Sequence, residues 1–402
     1  MPKFRIRALS VALALLLLIA LPCLPASAEE AKGDPLQSPS EPAPSLETAC
    51  RSAVLMEAST GKVLYAQTPA EAMPPASVTK IMTLLLVMEC MDAGTLKWED
   101  TVTASARAAS MGGSQIFLKE GEQMPARDLI KSVVIASAND AAVALAEHTY
   151  GSEEAFVRRM NERAAELGMT STHFENTNGL DDTARNHVTS AADIAIMSRA
   201  LIAHEEILAY SSTWMDTIRD GAFGLTNTNR LVRFYRGCNG LKTGSTKKAG
   251  FCISVTAERE GMTLICVIMG AATRDERNAA AQKLLDWGFS AYGLFTAEAG
   301  ALDPLRVKGG ERDIVALSYP RFTAVLPKSR LKSMEHTVTL PEYVAAPVRA
   351  GEQVGTVSYT CDGKTIGTVP ITATETSEKM RFSTLWLRFL RALLLLDGET
   401  QC

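Results

Sequence analysis

Residues 74–91 read PPASVTKIMTLLLVMECM, two prolines followed by a segment that is apolar on nearly all sides. The prolines interrupt the preceding chain, and the stretch from Ser77 to Met91 contains no further proline or glycine. A helix that is apolar all round is buried, so this stretch predicts a central helix in the core. Gly94 supplies a helix stop shortly afterwards.

Short β-rich segments stand on both sides of a helical region. Two hairpins are predicted, formed by residues 53–56 with 63–65 and by residues 251–257 with 262–269. Residues 126–201 between them have the pattern of several helices, and Glu276 to Trp287 predicts a closing helix. The sequence therefore predicts an α/β fold, with a mixed sheet built from distant hairpins, helices around it and a helical subdomain.

The last hundred residues have a different texture. After about Gly300, short β-rich runs alternate with proline and glycine, which predicts a small all-β domain over residues 300–375. Residues 378–398 then form an apolar segment interrupted by Arg381, Arg388 and Arg391. On a helix these arginines lie within about 80° of one another, so the segment predicts an amphipathic helix on a membrane surface. The alternative is a helix that packs on the protein itself.

The first residues predict export. Lys3, Arg5 and Arg7 precede an apolar run over residues 8–21, and Ala26-Ser27-Ala28 offers small residues for signal-peptidase cleavage. Residues 1–28 are therefore predicted to be a signal peptide, followed by a flexible linker over residues 29–46. A lipid anchor on Cys23 is disfavoured because Pro22 stands where lipoproteins have a small residue.

Composition argues against nucleic acid as a partner and against a disulfide framework. The formal net charge is −4, which gives no electrostatic basis for binding nucleic acid, and 47% of the residues are hydrophobic, enough for a large core. Seven of the eight cysteines follow the signal peptide, an odd number with no repeated spacing, so no disulfide framework is predicted. Cys252 and Cys266 lie in apolar strands and are expected to be buried. No metal or cofactor motif is present.

Three short motifs carry chemistry. Ser77-Val78-Thr79-Lys80 places a hydroxyl and an amine three residues apart, on one face of a helix. A buried lysine that loses its proton can activate the serine, and the helix start favours a developing oxyanion. Ser137-Ala138-Asn139 offers a proton relay and an amide. Lys242-Thr243-Gly244, followed by Ser245, offers a cation and a hydroxyl for a carboxylate, and a glycine against which substrate can lie.

Each motif is weak alone, but their order is specific. The second begins about 60 residues after the first, and the third about 100 residues after the second. This combination behind an export signal resembles the low-molecular-mass penicillin-binding proteins, the serine-type D-alanyl-D-alanine carboxypeptidases. Other stretches that resemble this family are Phe174 with Asn176 and Gly179-Leu180, His187 with Thr189, Ala191 and Asp193, Asn227-Thr228-Asn229, Ala249-Gly250 and Trp287-Gly288-Phe289.

The resemblance implies a role for each motif residue. Ser77 is the expected acylated nucleophile, Lys80 its base, and Ser137 the relay of a proton to the leaving D-alanine. The residues expected to bind substrate are Asn139, Lys242, Thr243, Gly244, Ser245 and, on the closing helix, Arg277. The backbone N–H groups of Ser77 and Ser245 are expected to form the oxyanion hole. The implied C-terminal domain is a β-sandwich, and the catalytic domain spans residues 47–295.

The resemblance also implies the substrate and the place of action. The substrate is a peptidoglycan pentapeptide, β-lactams are covalent inhibitors, and the enzyme is held on the outer face of the cytoplasmic membrane by its C-terminal helix. Three alternatives remain. A cross-link endopeptidase has the same motifs, whereas a serine β-lactamase needs a deacylating glutamate in an E-x-x-L-N motif that neither Glu166 nor Glu175 provides. The third alternative, a non-catalytic cell-wall binding protein, is disfavoured because Ser77, Lys80, Ser137 and Lys242 are all intact.

Overall fold

The computed structural model describes residue 46, residues 48–181 and residues 184–394. The predicted signal peptide, nearly all of the predicted linker and the last residues of the predicted tail helix lie outside these ranges. The strands of the first domain are β1 (Ser52–Glu57), β2 (Val63–Gln67), β3 (Thr101–Thr103), β4 (Gln123–Pro125), β5 (Met215–Ile218), β6 (Phe223–Thr226), β7 (Cys238–Thr246), β8 (Gly250–Arg259) and β9 (Met262–Ala271).

The central sheet has five strands in the order β2-β1-β9-β8-β7. Strands β1 and β9 join the two predicted hairpins, with Val54 opposite Val267. The predicted α/β class is confirmed, but all four pairings in this sheet are antiparallel rather than mixed. The reason is that three of the pairings are hairpins, in which a short turn reverses the chain direction.

Helices cover both faces of this sheet. They are α1 (Lys80–Asp92), α2 (Ala106–Ala109), α3 (Ala126–Ile135), α4 (Asn139–Tyr150), α5 (Glu153–Glu166), α6 (Ala191–Ile202), α7 (Glu206–Ser211), α8 (Leu231–Phe234) and α9 (Arg274–Ala291). Successive residues of β1 point to opposite faces, so Val54 belongs to the core with α1, whereas Leu55 belongs to the core with α9. The predicted central helix is confirmed, since Leu84, Leu85 and Leu86 are all buried.

The start of the central helix differs from the prediction. Ala76–Thr79 forms a 3₁₀ turn, and the α-helix begins only at Lys80. Ala76 has φ +49°, a left-handed conformation that no α-helix accommodates, so the regular helix cannot extend back through this residue. Ser77 and Lys80 consequently lie on either side of a helix junction.

The second domain is all-β, as predicted. Its strands are β10 (Tyr292–Ala297), β11 (Gly300–Lys308), β12 (Ile314–Tyr319), β13 (Phe322–Pro327), β14 (Met334–Thr339), β15 (Tyr343–Ala345), β16 (Gln353–Cys361) and β17 (Lys364–Ala373). Six of them form a sheet in the order β14-β16-β17-β12-β11-β15, and β10 pairs with β13. The rings of Phe322 and Tyr359 stack at 4.2 Å between these two sheets.

A final helix, α10 (Phe382–Leu393), follows the second domain. None of the helices in the described ranges combines the length and the apolar composition needed to span a bilayer. The six cysteines that the structure describes are free thiols, and Cys252 and Cys266 are buried as predicted.

Candidate active site

The three sequence motifs meet beside one end of β7. Ser77 comes from the 3₁₀ turn, Lys80 from the first residue of α1, and Asn139 from the first residue of α4. The Lys80 amine lies 3.1 Å from Ser77 Oγ and 2.6 Å from Asn139 Oδ1. Strand β7 packs on the same turn, since the position of a Cβ on Gly244 is 2.8 Å from the Ser77 nitrogen.

The Lys80 side chain is fully buried and has three polar neighbours. Besides Ser77 and Asn139, its Nζ donates to the Asn178 carbonyl oxygen at 2.8 Å. Burial lowers the pKa of Lys80 well below its ordinary value, repulsion from Lys242 lowers it further, and only the Asp140 carboxylate opposes these effects. A neutral amine has two N–H donors, enough for the two carbonyl oxygens, and keeps its lone pair for the Ser77 hydroxyl. The site therefore favours a lysine that can accept the Ser77 proton.

Asp140 and Gly112 hold Asn139 in place. The Asn139 amide donates to the Gly112 carbonyl oxygen at 2.6 Å. The buried Asp140 carboxylate accepts backbone N–H groups of Ile116 and Leu118, so the loop that carries Gly112 is tied to the start of α4. Sequence analysis did not identify Asp140, although it directly follows the second motif.

Ser137 occupies a strained position next to this helix. Its φ is +63°, and its side chain is buried. Among the described residues Ser137 Oγ has no hydrogen-bond partner. A buried hydroxyl without a partner costs about 1–3 kcal/mol, and such groups concentrate at functional sites. The hydroxyl is therefore available to a bound substrate.

Strand β7 places the third motif along the edge of the sheet. Lys242 is buried, and burial lowers its pKa to about 7, with repulsion from Arg277 as a second cause. Its Nζ donates to the Thr243 carbonyl oxygen, and the Thr243 hydroxyl donates to Thr228 Oγ1 at 2.8 Å. Ser245 is exposed and pairs with Phe251. The end strand of the sheet therefore carries the buried amine of Lys242 and the hydroxyl of Thr243 next to each other.

Gly244 is required by packing against the 3₁₀ turn that carries Ser77. A Cβ at this position would meet three backbone atoms, Ser77 N at 2.8 Å, Pro75 O at 2.9 Å and Val78 N at 2.9 Å. Sequence analysis expected this glycine to make room for substrate. In the structure its first effect is to let β7 approach the backbone N–H of Ser77.

We expect Gly244→Ala to slow acylation of the site by about 10²-fold, since backbone atoms cannot yield and the turn must shift away from the strand. Acylation by a fluorescent penicillin, followed over time, measures the effect. Gly224→Ala is the matched control, because a Cβ there meets no atom within 4 Å. Equal acylation rates in Gly244→Ala and wild type would contradict the assigned packing.

Arg277 contacts β8, the strand that pairs with the third motif, since its hydrogen-bond acceptor Cys252 lies opposite Gly244. It is buried near the start of α9, where its guanidinium donates to the Cys252 carbonyl oxygen at 3.4 Å and to the Asn278 side chain. Burial lowers its pKa to about 10, and repulsion from Arg274 adds to this. Its described hydrogen bonds do not reach Lys242 or Thr243. After burial, repulsion from the Arg277 charge is the second cause that lowers the pKa of Lys242.

Comparison with known proteins assigns the family. A family model described as D-alanyl-D-alanine carboxypeptidase matches residues 37–273, more than half of the chain. The chain belongs to the D-alanyl-D-alanine carboxypeptidase family. It is therefore a serine-type carboxypeptidase, as the three motifs predict. A second model, the C-terminal domain of penicillin-binding protein 5, matches residues 298–379.

Individual members of the carboxypeptidase family cover most of the chain. D-alanyl-D-alanine carboxypeptidase DacF of Bacillus subtilis is 41% identical over 345 residues, which is 84% of this chain and 88% of that protein. Penicillin-binding protein 5 of Haemophilus influenzae has a solved structure with a TM-score of 0.74 and 31% identity, covering 83% of this chain and 98% of that chain. Penicillin-binding protein D2 of Listeria monocytogenes, solved in its ampicillin-bound form, has a TM-score of 0.57 and 33% identity, covering 61% and 100%.

Two contacts of this carboxypeptidase were not assigned from sequence. Asn178 binds Lys80 through its backbone carbonyl oxygen, and Thr228 binds Thr243 through its hydroxyl. Both residues lie within or beside short stretches that resemble the family. The sequence therefore pointed to these stretches, but it did not show what the two residues do. A role carried by a backbone carbonyl leaves no trace in residue type, and therefore only the folded chain reveals it.

Proposed function

We propose that the protein removes the terminal D-alanine from peptidoglycan peptides through an acyl-enzyme on Ser77. The observation that carries this proposal is the 3.1 Å contact between Ser77 Oγ and a fully buried Lys80 amine whose pKa is lowered. Lys80 takes the Ser77 proton while Oγ attacks the carbonyl carbon of the peptide bond between the two D-alanines. The N–H groups of Ser77 and Ser245 stabilise the oxyanion.

Collapse of the tetrahedral intermediate breaks the C–N bond. The departing amine needs a proton, and the Ser137 hydroxyl, which has no partner among the described residues, relays one from Lys80. Lys242 and Thr243 bind the carboxylate of the leaving D-alanine, with Asn139 orienting the peptide. Water then hydrolyses the ester on Ser77 and restores the free enzyme.

The two glutamates considered as the deacylating base of a β-lactamase, Glu166 and Glu175, form hydrogen bonds with other groups. Glu166 pairs with Arg159 and Arg163 on the exposed side of α5. Glu175 accepts backbone N–H groups of Arg185 and Asn186. The pKa of each is lowered, Glu166 mainly by its hydrogen bond to Arg159 and Glu175 mainly by its hydrogen bond from Arg185, so neither is a basic carboxylate. This supports slow release of a bound penicillin.

Release of D-alanine from a peptide ending in D-Ala-D-Ala tests the function. Wild-type protein is expected to release one D-alanine for each peptide, measured by an amino-acid oxidase assay, and Ser137→Ala is expected to be slower by about 10²–10⁴-fold. A cross-linked peptide dimer as a second substrate separates the endopeptidase alternative. Cleavage of the dimer without release from the pentapeptide would overturn the proposal.

We propose that the protein acts outside the cytoplasm. Residues 1–28 direct export, residues 29–46 link the mature N-terminus to the catalytic domain of residues 47–295, and the β domain of residues 300–375 carries the tail helix. The C-terminal segment, residues 378–398, attaches the enzyme to the outer face of the cytoplasmic membrane; the helix predicted for this segment begins only at Phe382, because residues before it still bond to the β domain. This division follows the sequence pattern, and peptidoglycan lies on that side of the membrane.

The surface of α10 supports attachment. Its large apolar side chains face solvent, with Phe382 80% exposed and Trp386 52% exposed. Arg388 lies on the opposite side and contacts Glu311 and Asp313 of the β domain. An exposed apolar face with an arginine on the opposite side fits helices that lie in the bilayer interface.

We expect the chain ending at Arg381 to lose binding to vesicles that contain anionic lipid and to keep D-alanine release. The end is placed there because Ser377 is buried and exchanges backbone hydrogen bonds with Val348, so a shorter chain would damage the β domain. Trp386→Glu should weaken vesicle binding, whereas Thr384→Glu, on the polar face, should affect it less. Full-length protein that stays unbound would contradict the anchor.

A further inference from the structure

The loop that leads into α6 closes around the turn that carries the nucleophile. Met73, just before that turn, exchanges two backbone hydrogen bonds with Thr189, at 2.8 and 2.9 Å. Gly179 packs so tightly on the turn that a Cβ there would lie 1.8 Å from the Ala76 carbonyl oxygen. The conformation of this loop and the conformation of the turn are therefore coupled.

A chain of hydrogen bonds crosses from this loop to the residue before Ser77. The Glu175 backbone N–H donates to His187 Nδ1 at 3.0 Å, so in the neutral ring the proton is on Nε2. His187 Nε2 lies 2.8 Å from Thr79 Oγ1 and donates to it. The Thr79 hydroxyl then has its own proton for the Ala76 carbonyl oxygen, also at 2.8 Å.

The end of this chain is a strained residue. Ala76 has φ +49°, a conformation that residues with a Cβ rarely adopt. The same peptide group leads directly into Ser77, so its orientation sets the position of the Ser77 backbone N–H and hydroxyl. Residues in such conformations persist only where neighbouring groups hold them.

The surroundings of His187 keep its ring neutral, with one nitrogen that accepts a hydrogen bond and one that donates. His187 is buried, with its ring centroid 5.7 Å from that of Phe174 in an edge-on arrangement, and burial lowers its pKa to about 4. The charged neighbours are Glu175 and Asp181, which favour the protonated ring, and His173, which disfavours it. At neutral pH the ring therefore stays uncharged and keeps a single N–H.

We propose that His187 and Thr79 act as a positioning pair that fixes the peptide group before Ser77 for acylation. The proposal rests on Ser77 as the nucleophile, and it goes beyond it because neither side chain touches the reacting atoms. His187 sets the direction of the Thr79 hydroxyl, and that hydroxyl holds the Ala76 carbonyl oxygen. Loss of either donor leaves the peptide group free to turn and displaces Ser77 from Lys80.

Isosteric substitution at Thr79 tests the pair. We expect Thr79→Val, which removes the hydroxyl and keeps the shape, to slow acylation by a fluorescent penicillin about 10²-fold. Thr79→Ser should retain most of the wild-type rate, because it keeps the hydroxyl. His187→Phe should slow acylation as Thr79→Val does, and the double variant should be little slower than either single one, since both act through one hydrogen bond.

Controls separate positioning from general loss of stability. Ser211→Ala removes a buried hydroxyl that donates to the Asn239 carbonyl oxygen, near the other end of β7, and should acylate at the wild-type rate. All rates are measured below the onset of thermal unfolding of each variant. Should Thr79→Val fail to fold, the comparison is made between His187→Phe, which loses the donor to Thr79, and Thr79→Ser, which keeps the hydrogen bonds.

Each outcome decides the proposal. A wild-type rate in Thr79→Val, an equal loss in Thr79→Ser, or an equal loss in Ser211→Ala would overturn the positioning pair while leaving Ser77 as the nucleophile. Wild-type protein that is not labelled at Ser77 would overturn the proposed function instead. A loss in Thr79→Val that Thr79→Ser restores supports the pair.

Discussion

One molecule of benzylpenicillin is expected to bind covalently to each molecule of the wild-type protein, and Ser77→Ala is expected to bind none. Ser77 is half buried in the turn beside β7, and its hydroxyl is in contact with the Lys80 amine. The β-lactam carbonyl carbon would accept Oγ, the ring C–N bond would open, and the ring nitrogen would take the proton. Intact-mass analysis measures the adduct, and peptide mapping locates it.

Ser212→Ala is the matched control for this experiment. Ser212 is exposed at the end of α7, and its hydroxyl reaches only the Ala209 carbonyl oxygen. It should be labelled as the wild type is. An adduct that persists in Ser77→Ala would identify another nucleophile, and rapid turnover of the drug by the wild type would identify a β-lactamase.

Lys80→Ala should slow acylation by about 10²–10⁴-fold, the usual contribution of a positioned general base. The protein should still fold, because burial disfavours the charged form of this amine, so the change removes a neutral side chain rather than one half of an ion pair. Stopped-flow or gel-based acylation gives the rate, and circular dichroism gives the fold. Lys131→Ala, which loses a partly exposed ion pair with Asp216 and a hydrogen bond to the Thr217 carbonyl oxygen, is the control and should acylate normally.

The pH dependence of acylation gives an independent check on Lys80. The acylation rate of the wild type should rise with pH as Lys80 loses its proton, and the lowered pKa places this rise below the range of an ordinary lysine. Lys80→Ala should lose the rise. A rise that persists in Lys80→Ala, or a nearly wild-type rate at any pH, would mean that another group is the base.

Local pattern was sufficient for the elements of the fold. The apolar stretch from Ser77 to Met91 predicted a buried helix, and the two hairpins were predicted from β-rich runs separated by turn residues. These features depend on neighbouring residues, and burial of Leu85 or Val267 follows from periodicity and apolar character. The positive φ of Ala76 was not predictable, because at alanine such a conformation is imposed by the loop around it and not by its own preference.

The sequence by itself determined the family and the order of its three motifs, because Ser77, Lys80, Ser137 and Lys242 are fixed chemical groups in recognisable motifs. Only the tertiary structure decided how they act on one another. Pairing of β1 with β9 joins hairpins about 200 residues apart, and packing of Gly244 on Ser77 brings the third motif to the first. The pKa of Lys80 depends on the water excluded around it and on Lys242, which is distant in sequence. Desolvation and Coulomb energy vary with distances in space, and spacing along the chain does not specify those distances.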